Sequence, residues 1–229
     1  MSRIIAIGDI HGCDRALETL LDAIKPRKRD TLIPLGDFID RGPRSSAVVE
    51  RLIDLMSKCK LVPLIGNHEI MMFSAFHSQQ EHKFWASHGG AATLASYGGS
   101  LQNVPQHHLS FLGHCLRFAE TENHFFIHAR YIPHLPLPHQ PDECIFWQHI
   151  YDDVPEAHQS GKIAVVGHTP QMSGEIRNLG HIWMIDTNCF GGQWLTAVDV
   201  ESRAVWQADE RGRLKVGEIP PVETTGRRV

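Results

Sequence analysis

The stretch Gly36-Asp37-Phe38-Ile39-Asp40-Arg41-Gly42 follows directly on the apolar run 32–35, and the same arrangement recurs along the chain. A continuous apolar run is typical of a parallel strand that is buried on both faces. Four further polar clusters come right after such runs: Gly8-Asp9-Ile10-His11-Gly12, Gly66-Asn67-His68-Glu69, His128 and Gly167-His168-Thr169. The pattern therefore predicts five strands, each with polar side chains at its carboxyl end.

The segments between the first three apolar runs show the periodicity of amphipathic helices. One helix is expected to begin near Asp14 and to bury a leucine-rich face, and a second is expected over residues 45–58. Later strands are predicted at 182–185, 195–200 and 204–208, the last two as a hairpin. Strands that alternate with helices indicate right-handed crossovers and a mainly parallel core sheet, so the predicted fold class is α/β.

The polar clusters offer a set of metal ligands. In open α/β sheets ligands bind beyond the carboxyl ends of the strands, so these side chains should converge on one point. Mixed oxygen and nitrogen donors without thiolate suit divalent ions such as Mn, Fe, Zn or Co. Asp37 has two carboxylate oxygens and could bridge two cations. The candidate ligands are Asp9, His11, Asp37, Asn67, His128 and His168.

Other members of the clusters suit the hydrolysis of phosphate esters. Arg41 can grip phosphate oxygens as a planar fork, and His68 can protonate the departing oxygen as a general acid. Asp40 is placed to hold His68 by a hydrogen bond. We expect Arg41 and Asn67 to contact the substrate. A single Gly-Asp cluster would indicate only a turn, but five clusters in this order favour a catalytic site.

Length and composition indicate how the chain is divided into domains. The chain has 229 residues, of which 42% are hydrophobic and 21% charged, which is ordinary for a globular protein that has its own core. We expect one domain over residues 1–216. Residues 70–115 contain no strand-like run and are predicted to form a helical insertion over the cleft. Residues 217–229 are predicted to be a flexible tail.

Charge and cysteine content restrict partners and compartment. The formal net charge is −4, whereas binding to nucleic acid needs clustered Lys and Arg, so neither a nucleic-acid partner nor nucleic-acid phosphodiesterase activity is expected. No stretch approaches the roughly 18 to 20 apolar residues of a membrane span, and no membrane partner is expected. Five dispersed cysteines without a Cys-x-x-Cys pair fit reduced thiols. These features predict a cytoplasmic protein.

Taken together, the motifs GDIHG (8–12), GDFIDRG (36–42), GNHE (66–69), His128-Ala129 and GHTP (167–170) resemble those of the calcineurin-like metallophosphoesterase superfamily. The Arg of GDFIDRG is similar to that of the phosphoprotein phosphatase branch and its bacterial relatives. Bacterial and phage Ser/Thr protein phosphatases and symmetrical diadenosine tetraphosphate hydrolases share the pattern. The resemblance implies a four-layer β-sandwich of mixed sheets flanked by helices.

The resemblance also implies roles for single residues. Asp9, His11 and Asp37 would hold one metal ion, and Asp37 would share a second with Asn67, His128 and His168. His68 and Asp40 would form an acid dyad, and Arg41 would bind phosphate. The implied ions are two divalent metals, usually manganese, with iron or zinc as alternatives.

One departure from the pattern concerns a second phosphate-binding arginine. Bacterial protein phosphatases commonly carry it in a Trp-x-Arg element, where this chain has Trp147-Gln148-His149. A protonated His149 or Arg130 could take its place, although Arg130 could equally be a surface cation.

The predicted function is that of a metal-dependent phosphomonoesterase, a Ser/Thr protein phosphatase whose metal-bridging hydroxide attacks phosphorus directly. The expected partner is thus a phosphorylated protein or a small phosphate ester. A dinucleoside polyphosphate hydrolase and an inactive metal-binding scaffold are the alternatives.

Overall fold

The computed structural model describes residues 2–151 and 153–223, and two mixed sheets form the centre of this part of the chain. In the first sheet the strand order is β11-β10-β9-β1-β2-β3. The three strands β1 to β3 are parallel, and β9 to β11 continue the sheet as antiparallel neighbours. The strands of this sheet are β1 (Ile4–Ile7), β2 (Thr31–Pro34), β3 (Lys60–Leu61), β9 (Leu195–Asp199), β10 (Ala204–Ala208) and β11 (Leu214–Glu218).

The second sheet has the order β4-β5-β6-β8-β7. Its central strands β5, β6 and β8 are parallel, and an antiparallel strand lies at each edge. Its strands are β4 (Phe118–Glu120), β5 (His124–Ile127), β6 (Ile163–Val166), β7 (Arg177–Asn178) and β8 (Ile182–Met184).

Helices cover the outer faces of the two sheets. The α-helices are α1 (Asp14–Ile24), α2 (Ser45–Leu55), α3 (Asn67–Ser74), α4 (Gln79–Trp85), α5 (Ala91–Ser96), α6 (Gln106–Gly113) and α7 (Asp142–Trp147). A kinked segment at Ala86–Gly90 joins α4 to α5, and 3-10 turns lie at Leu101–Asn103 and Leu137–His139. In the described residues no helix is both long and apolar enough to cross a bilayer.

Three apolar layers, one between the sheets and one on the outer face of each, explain why the strand sequences are continuous hydrophobic runs. Ala6 packs between the sheets with Phe126 and Val165, whereas its neighbours Ile5 and Ile7 face the outer helices. Successive side chains of a strand point to opposite faces, so a strand buried on both sides needs an apolar residue at every position. On the far side of the second sheet a third cluster packs against α7. This is the four-layer architecture that the motifs indicated.

The helical insertion agrees with the sequence prediction, whereas the predicted mainly parallel sheet and the predicted tail do not. Antiparallel strands flank the parallel ones in both sheets. Residues 70–115 are helical, from α3 to α6, as expected. Residues 214–218, however, form β11, which pairs with β10 across the predicted boundary at residue 217. Ile219 is buried, and the backbone N–H of Glu223 donates to Asn178 O at 2.8 Å. The prediction of a flexible tail is therefore wrong for residues 217–223, and residues 224–229 lie outside the described part.

Candidate dinuclear metal centre

The polar clusters meet at one edge of the two sheets, where the parallel strands end. Asp9 and His11 follow β1, Asp37 follows β2, and Asn67 is the first residue of α3. His128 and His168 follow β5 and β6 of the second sheet, so both sheets contribute to one pocket.

Asp37 lies between two groups of potential ligands. Its Oδ2 is 3.5 Å from His11 Nε2, and its Oδ1 is 3.5 Å from His128 Nε2. Two compact sets of donor atoms result, one formed by His11, Asp37 and His68 and the other by Asp37, His128 and His168. A carboxylate that belongs to both sets is what a bridging ligand requires.

The remaining candidates lie in the same pocket. Asn67 Oδ1 is 3.0 Å from His128 Nε2, and the rings of His128 and His168 are 5.0 Å apart between centroids. The backbone N–H of His168 donates to both carboxylate oxygens of Asp9, at 3.1 and 3.0 Å. All six predicted ligands are thus gathered at one place, although Asp9 contacts the backbone of His168 and does not belong to either compact donor set.

Each candidate histidine uses one ring nitrogen on a backbone carbonyl. His11 Nδ1 donates to Ile39 O at 2.9 Å, and His128 Nδ1 donates to Leu35 O at 2.8 Å. His168 Nε2 donates to Trp147 O at 3.2 Å. A carbonyl oxygen can only accept, and burial lowers the pKa of all three rings, which favours their neutral form. The other ring nitrogen then carries no proton and can act as a metal ligand.

One of these free nitrogens has no other partner. His11 Nε2 is buried and makes no hydrogen bond within the described part of the chain. A buried polar atom without a partner is costly in a folded protein, and a bound cation would satisfy it. The donor set of the pocket therefore fits divalent metal ions.

Three buried carboxylates in the pocket repel one another and would be stabilised by nearby positive charge. Burial, and then the charges of Asp186 and Asp37, raise the pKa of Asp9. Burial is also the main reason why the pKa of Asp186 is raised to about 6. Burial acts in the same direction on Asp37, but His128, His68 and His11 outweigh it and hold the pKa of Asp37 below its usual range. Cations in the pocket would relieve this repulsion.

Glu69 holds two loops of the pocket together. This fully buried carboxylate accepts hydrogen bonds from the backbone N–H groups of Asp37 and Phe38 at 2.9 and 2.8 Å. It also accepts from the N–H of Gly66 at 2.9 Å. Glu69 thereby fixes the Asp37 turn relative to the start of α3.

His68 is held by a network that reaches into the insertion. Its Nδ1 donates to Asp40 Oδ2 at 2.7 Å, and its Nε2 lies 3.1 Å from Arg41 Nη2. Asp40 also accepts from the indole N–H of Trp85 at 2.8 Å and from the Thr93 hydroxyl at 2.7 Å. Burial lowers the pKa of His68, but Asp37 and Asp40 together raise it above its usual value. The structure thus brings the His68–Asp40 pair and Arg41 together.

The backbone is strained at many of these positions. Among the described residues, positive φ angles occur at five predicted site residues: His11 (47°), Asp37 (50°), Asp40 (71°), Arg41 (65°) and His168 (61°). Non-glycine residues rarely adopt this region, and such strain persists only where the surrounding structure enforces it. The tight turns at the strand ends enforce it here.

The two candidates for the missing second arginine have different surroundings. The His149 ring stacks on His168 with centroids 4.2 Å apart and an angle of 13° between the planes. Arg130 is paired with Asp153 at 2.8 Å in the neighbouring depression. Of the two, His149 is the one that lines the same cleft as Arg41 and His68.

Comparison with known proteins gives this fold and site a family. A model of calcineurin-like phosphoesterases matches residues 2–187, and the chain therefore belongs to that family. Its members are hydrolases that depend on two metal ions. The predictions of family and fold are confirmed, and that of an enzyme is confirmed at the level of the family.

The individual relatives carry different names. The symmetrical bis(5'-nucleosyl)-tetraphosphatase of Acidovorax ebreus is 45% identical over 73 residues, which cover 31% of this chain and 25% of that protein. Serine/threonine-protein phosphatase 2 of Salmonella typhimurium is 36% identical over 38% of each chain. The asymmetrical bis(5'-nucleosyl)-tetraphosphatase PrpE of Oceanobacillus iheyensis is 27% identical over 85% of this chain and 87% of its own.

A solved structure supports the fold along nearly the whole chain. The crystal structure of a candidate diadenosine tetraphosphatase superimposes with a TM-score of 0.68 and covers 94% of this chain and 93% of its own. Its sequence identity is 21%, so the likeness concerns the fold. The chain spans only a quarter of the length of the Acidovorax relative, and its own activity is therefore treated below as a proposal.

Proposed function

We propose that this protein is a metal-dependent phosphoesterase that hydrolyses its substrate without a covalent phosphoenzyme. The observation that carries the proposal is the position of Asp37 between two sets of potential metal ligands, next to the Arg41, His68 and Asp40 group. This arrangement combines what phosphoryl transfer needs, namely positive charge for the phosphoryl oxygens and an acid for the leaving oxygen.

Six residues are proposed to hold the metal ions. Asp9, His11 and Asp37 would bind one ion, while Asp37, Asn67, His128 and His168 would bind the other. When bound, two divalent cations supply positive charge to the phosphoryl group and an acidified water as nucleophile. Mn is our proposal for the metal, with Fe or Zn as alternatives, because the donors are carboxylate, amide and imidazole groups without thiolate.

The protein groups beside the metal ligands have complementary tasks. The Arg41 guanidinium binds and orients the phosphoryl oxygens, with Asn67 next to it. His68 holds a proton at Nε2 and delivers it to the leaving oxygen. Asp40 fixes the ring through Nδ1 and stabilises its charged form. The 3.1 Å between Arg41 Nη2 and His68 Nε2 supports this division, because one substrate phosphate can reach both groups.

For the substrate, the sequence predicts phosphoserine or phosphothreonine in a protein. The Salmonella relative, by its name, supports this candidate, and a cleft that is open to solvent around Arg41 is compatible with it. A dinucleoside polyphosphate is the second candidate. The names of the Acidovorax and Oceanobacillus relatives support it, as do the exposed aromatic side chains along the cleft.

We propose a cytoplasmic location. All five cysteines are free and four of them are buried, as expected for a chain that folds under reducing conditions.

A substrate panel with added Mn²⁺ tests the proposed function. It contains a phosphoserine peptide, diadenosine tetraphosphate, p-nitrophenyl phosphate and a cyclic diester. We expect turnover of at least one substrate and its loss on chelation with EDTA. The inactive-scaffold alternative predicts metal binding without turnover of any of the four, and that result would end the proposal.

A further inference from the structure

Three aromatic rings extend outward from the candidate metal centre. The first is that of the predicted ligand His168, and the His149 ring stacks on it at 4.2 Å and 13°. The Tyr151 ring follows, stacked on His149 with centroids 5.0 Å apart and 23° between the planes. Tyr151 is 61% exposed, so the outer end of this stack is open to solvent.

The stack connects two cavities. The cleft at the metal centre has a volume of about 310 Å³, and Arg41, His68 and His168 line it together with His149. An adjoining depression of about 500 Å³ is lined by His149 and Tyr151. A ligand with its phosphate at Arg41 can therefore extend past His149 and reach Tyr151 with a second, planar part.

Two further aromatic side chains of this region are partly exposed. Phe84 is 48% and Trp147 is 39% exposed, and both line the cleft at the metal centre. Large aromatic side chains normally bury most of their surface in the core or in an interface. Their position along the cleft leaves these rings open to contact with a bound ligand.

The charge of the cleft bears on the kind of phosphate it accepts. Among the described residues that line the cleft, Arg41 is the arginine. Arg130 lines the adjoining depression, where it pairs with Asp153. A terminal phosphoryl group carries about −1.5 to −2 charges at neutral pH. An internal phosphoryl group of a polyphosphate has only one ionisable oxygen. Because the proposed metal ions would supply positive charge to either kind of phosphoryl group, the choice between them rests on the aromatic side chains.

We propose that His149 and Tyr151 form a stacking platform for the nucleobase of a nucleoside polyphosphate. The proposal rests on the proposed phosphoesterase function and names its substrate class. Parallel rings with an exposed outer face are suited to a flat heteroaromatic group, because base stacking on aromatic side chains is strong and tolerates any base. A phosphoserine peptide offers no such ring next to its phosphate, so the platform favours nucleotides over proteins.

Equilibrium binding provides a test that does not depend on turnover. In calorimetric titrations of the Mn²⁺-loaded protein, we expect ADP to bind more tightly than pyrophosphate, which lacks the base. Tyr151→Ala should weaken ADP binding relative to pyrophosphate about 5- to 100-fold, the range of one base stack. Tyr151→Phe keeps the ring and should restore the preference.

A matched variant controls for the loss of an exposed aromatic ring. Phe76 is 43% exposed and lies outside the cleft, so Phe76→Ala should leave the ratio of ADP to pyrophosphate affinity unchanged. Equal affinity of the wild-type protein for ADP and pyrophosphate would overturn the platform. An unchanged ratio in Tyr151→Ala would overturn it as well.

Kinetic measurements distinguish a failure of the stacking-platform proposal from a failure of the phosphoesterase proposal. With Mn²⁺ we expect Tyr151→Ala to raise the KM for diadenosine tetraphosphate about 5- to 100-fold relative to the KM for tripolyphosphate. If the protein hydrolyses tripolyphosphate or a phosphopeptide but not the dinucleotide, the platform is wrong and the phosphoesterase proposal stands. If it selectively binds ADP through Tyr151 but hydrolyses nothing, the platform stands and the phosphoesterase proposal fails.

Discussion

The indole N–H of Trp85 donates a hydrogen bond of 2.8 Å to the same Asp40 oxygen that accepts from His68 Nδ1. Trp85 is fully buried at the end of α4, in the predicted insertion. The insertion also supplies Thr93, which donates to the other Asp40 oxygen and accepts from the Asp40 backbone N–H. The insertion thus positions Asp40 and, through it, His68 of the candidate acid dyad.

Replacing Trp85 by phenylalanine should slow the protonation of the leaving group. The change removes one hydrogen bond to a buried carboxylate, worth about 1–3 kcal/mol, so Asp40 should hold His68 less firmly. We expect kcat to fall about tenfold on an alkyl phosphate, whose leaving oxygen needs the proton. The fall should be smaller on p-nitrophenyl phosphate, whose phenolate leaves more easily.

The half-buried Trp206 on β10 provides the matched control, because it lies outside the cleft. Trp206→Phe should leave the ratio of the two rates unchanged. If Trp85→Phe lowers both rates by the same factor, Trp85 supports the fold and has no specific effect on His68.

His68→Ala should separate metal binding from the proton transfer. The predicted metal ligands remain, so metal content measured by atomic emission should match that of the wild-type protein. Without the general acid, kcat on the alkyl phosphate should fall by about 10²- to 10⁴-fold. Full activity on this substrate would contradict the acid role. Loss of one metal ion would instead indicate that His68 is a ligand, as its distance of 4.0 Å from Asp37 Oδ2 permits.

Asp37→Asn should abolish metal binding and turnover together. The carboxylate is part of both donor sets, and an amide has neither the charge nor the second oxygen that a bridge requires. Metal content and kcat in the presence of Mn²⁺ measure the two effects. The exposed Asp54 is the control, and Asp54→Asn should retain both properties. Two equivalents of tightly bound metal in Asp37→Asn would show that the centre does not depend on this bridge.

The strand ends and their ligands were predictable because the signals are local. An apolar run and the turn after it lie within about ten residues, and parallel strands bring their carboxyl ends together whatever the loops between them do. Trp85 and Thr93 carry no such signal. They reach Asp40 across 45 and 53 residues, and only the packing of the insertion against α2 brings them there.

Asp186 and β11 escaped prediction for different reasons. Asp186 was not among the predicted site residues, and only the fold places its carboxylate close enough to raise the pKa of Asp9. Strand β11 is mostly exposed and lies at the edge of its sheet, so its sequence lacks an apolar pattern. The glycine and prolines near it looked like the start of a tail.

Gly36→Ala should destabilise the protein and disturb the metal centre. Gly36 has a φ of +103°, and a Cβ there would lie 2.6 Å from Gly66 N and 2.9 Å from His128 Nδ1. Gly99 is a matched control with a φ of +91° and open space around it. Gly99→Ala should cost about 1 kcal/mol through backbone strain alone.

The difference in stability between the two glycine variants measures the effect of the close contacts that a Cβ at residue 36 would make. Denaturant midpoints should show that Gly36→Ala costs at least about 1–3 kcal/mol more than Gly99→Ala, since overpacking adds to the strain. Metal content should fall only in Gly36→Ala. If both variants lost the same free energy of unfolding and kept the same metal content, the backbone around His128 would be able to shift and accommodate the added Cβ.

The stability of the fold should depend on pH through Asp30, at the start of β2. Burial alone would raise its pKa, but hydrogen bonds from the Arg3 side chain and from the backbone of Arg27 and Arg3 lower it to about 2. A carboxylate with a lower pKa in the folded than in the unfolded state stabilises the fold above its unfolded pKa. This contribution is lost as the pH falls from about 4 towards 2.

Asp30→Asn isolates this effect, because all other titrations cancel in the difference from the wild-type protein. Each pKa unit corresponds to about 1.4 kcal/mol, and the partial exposure of Arg3 screens the pair, so we expect a contribution of about 1–2 kcal/mol. The difference in the free energy of unfolding should be constant from pH 7 to 5 and shrink from pH 4 to 2.5. Asp54→Asn serves as the exposed control. If the difference in the free energy of unfolding between wild type and Asp30→Asn did not change with pH, Asp30 would act through its shape and neutral hydrogen bonds. Only a charge that is lost on protonation makes this difference shrink.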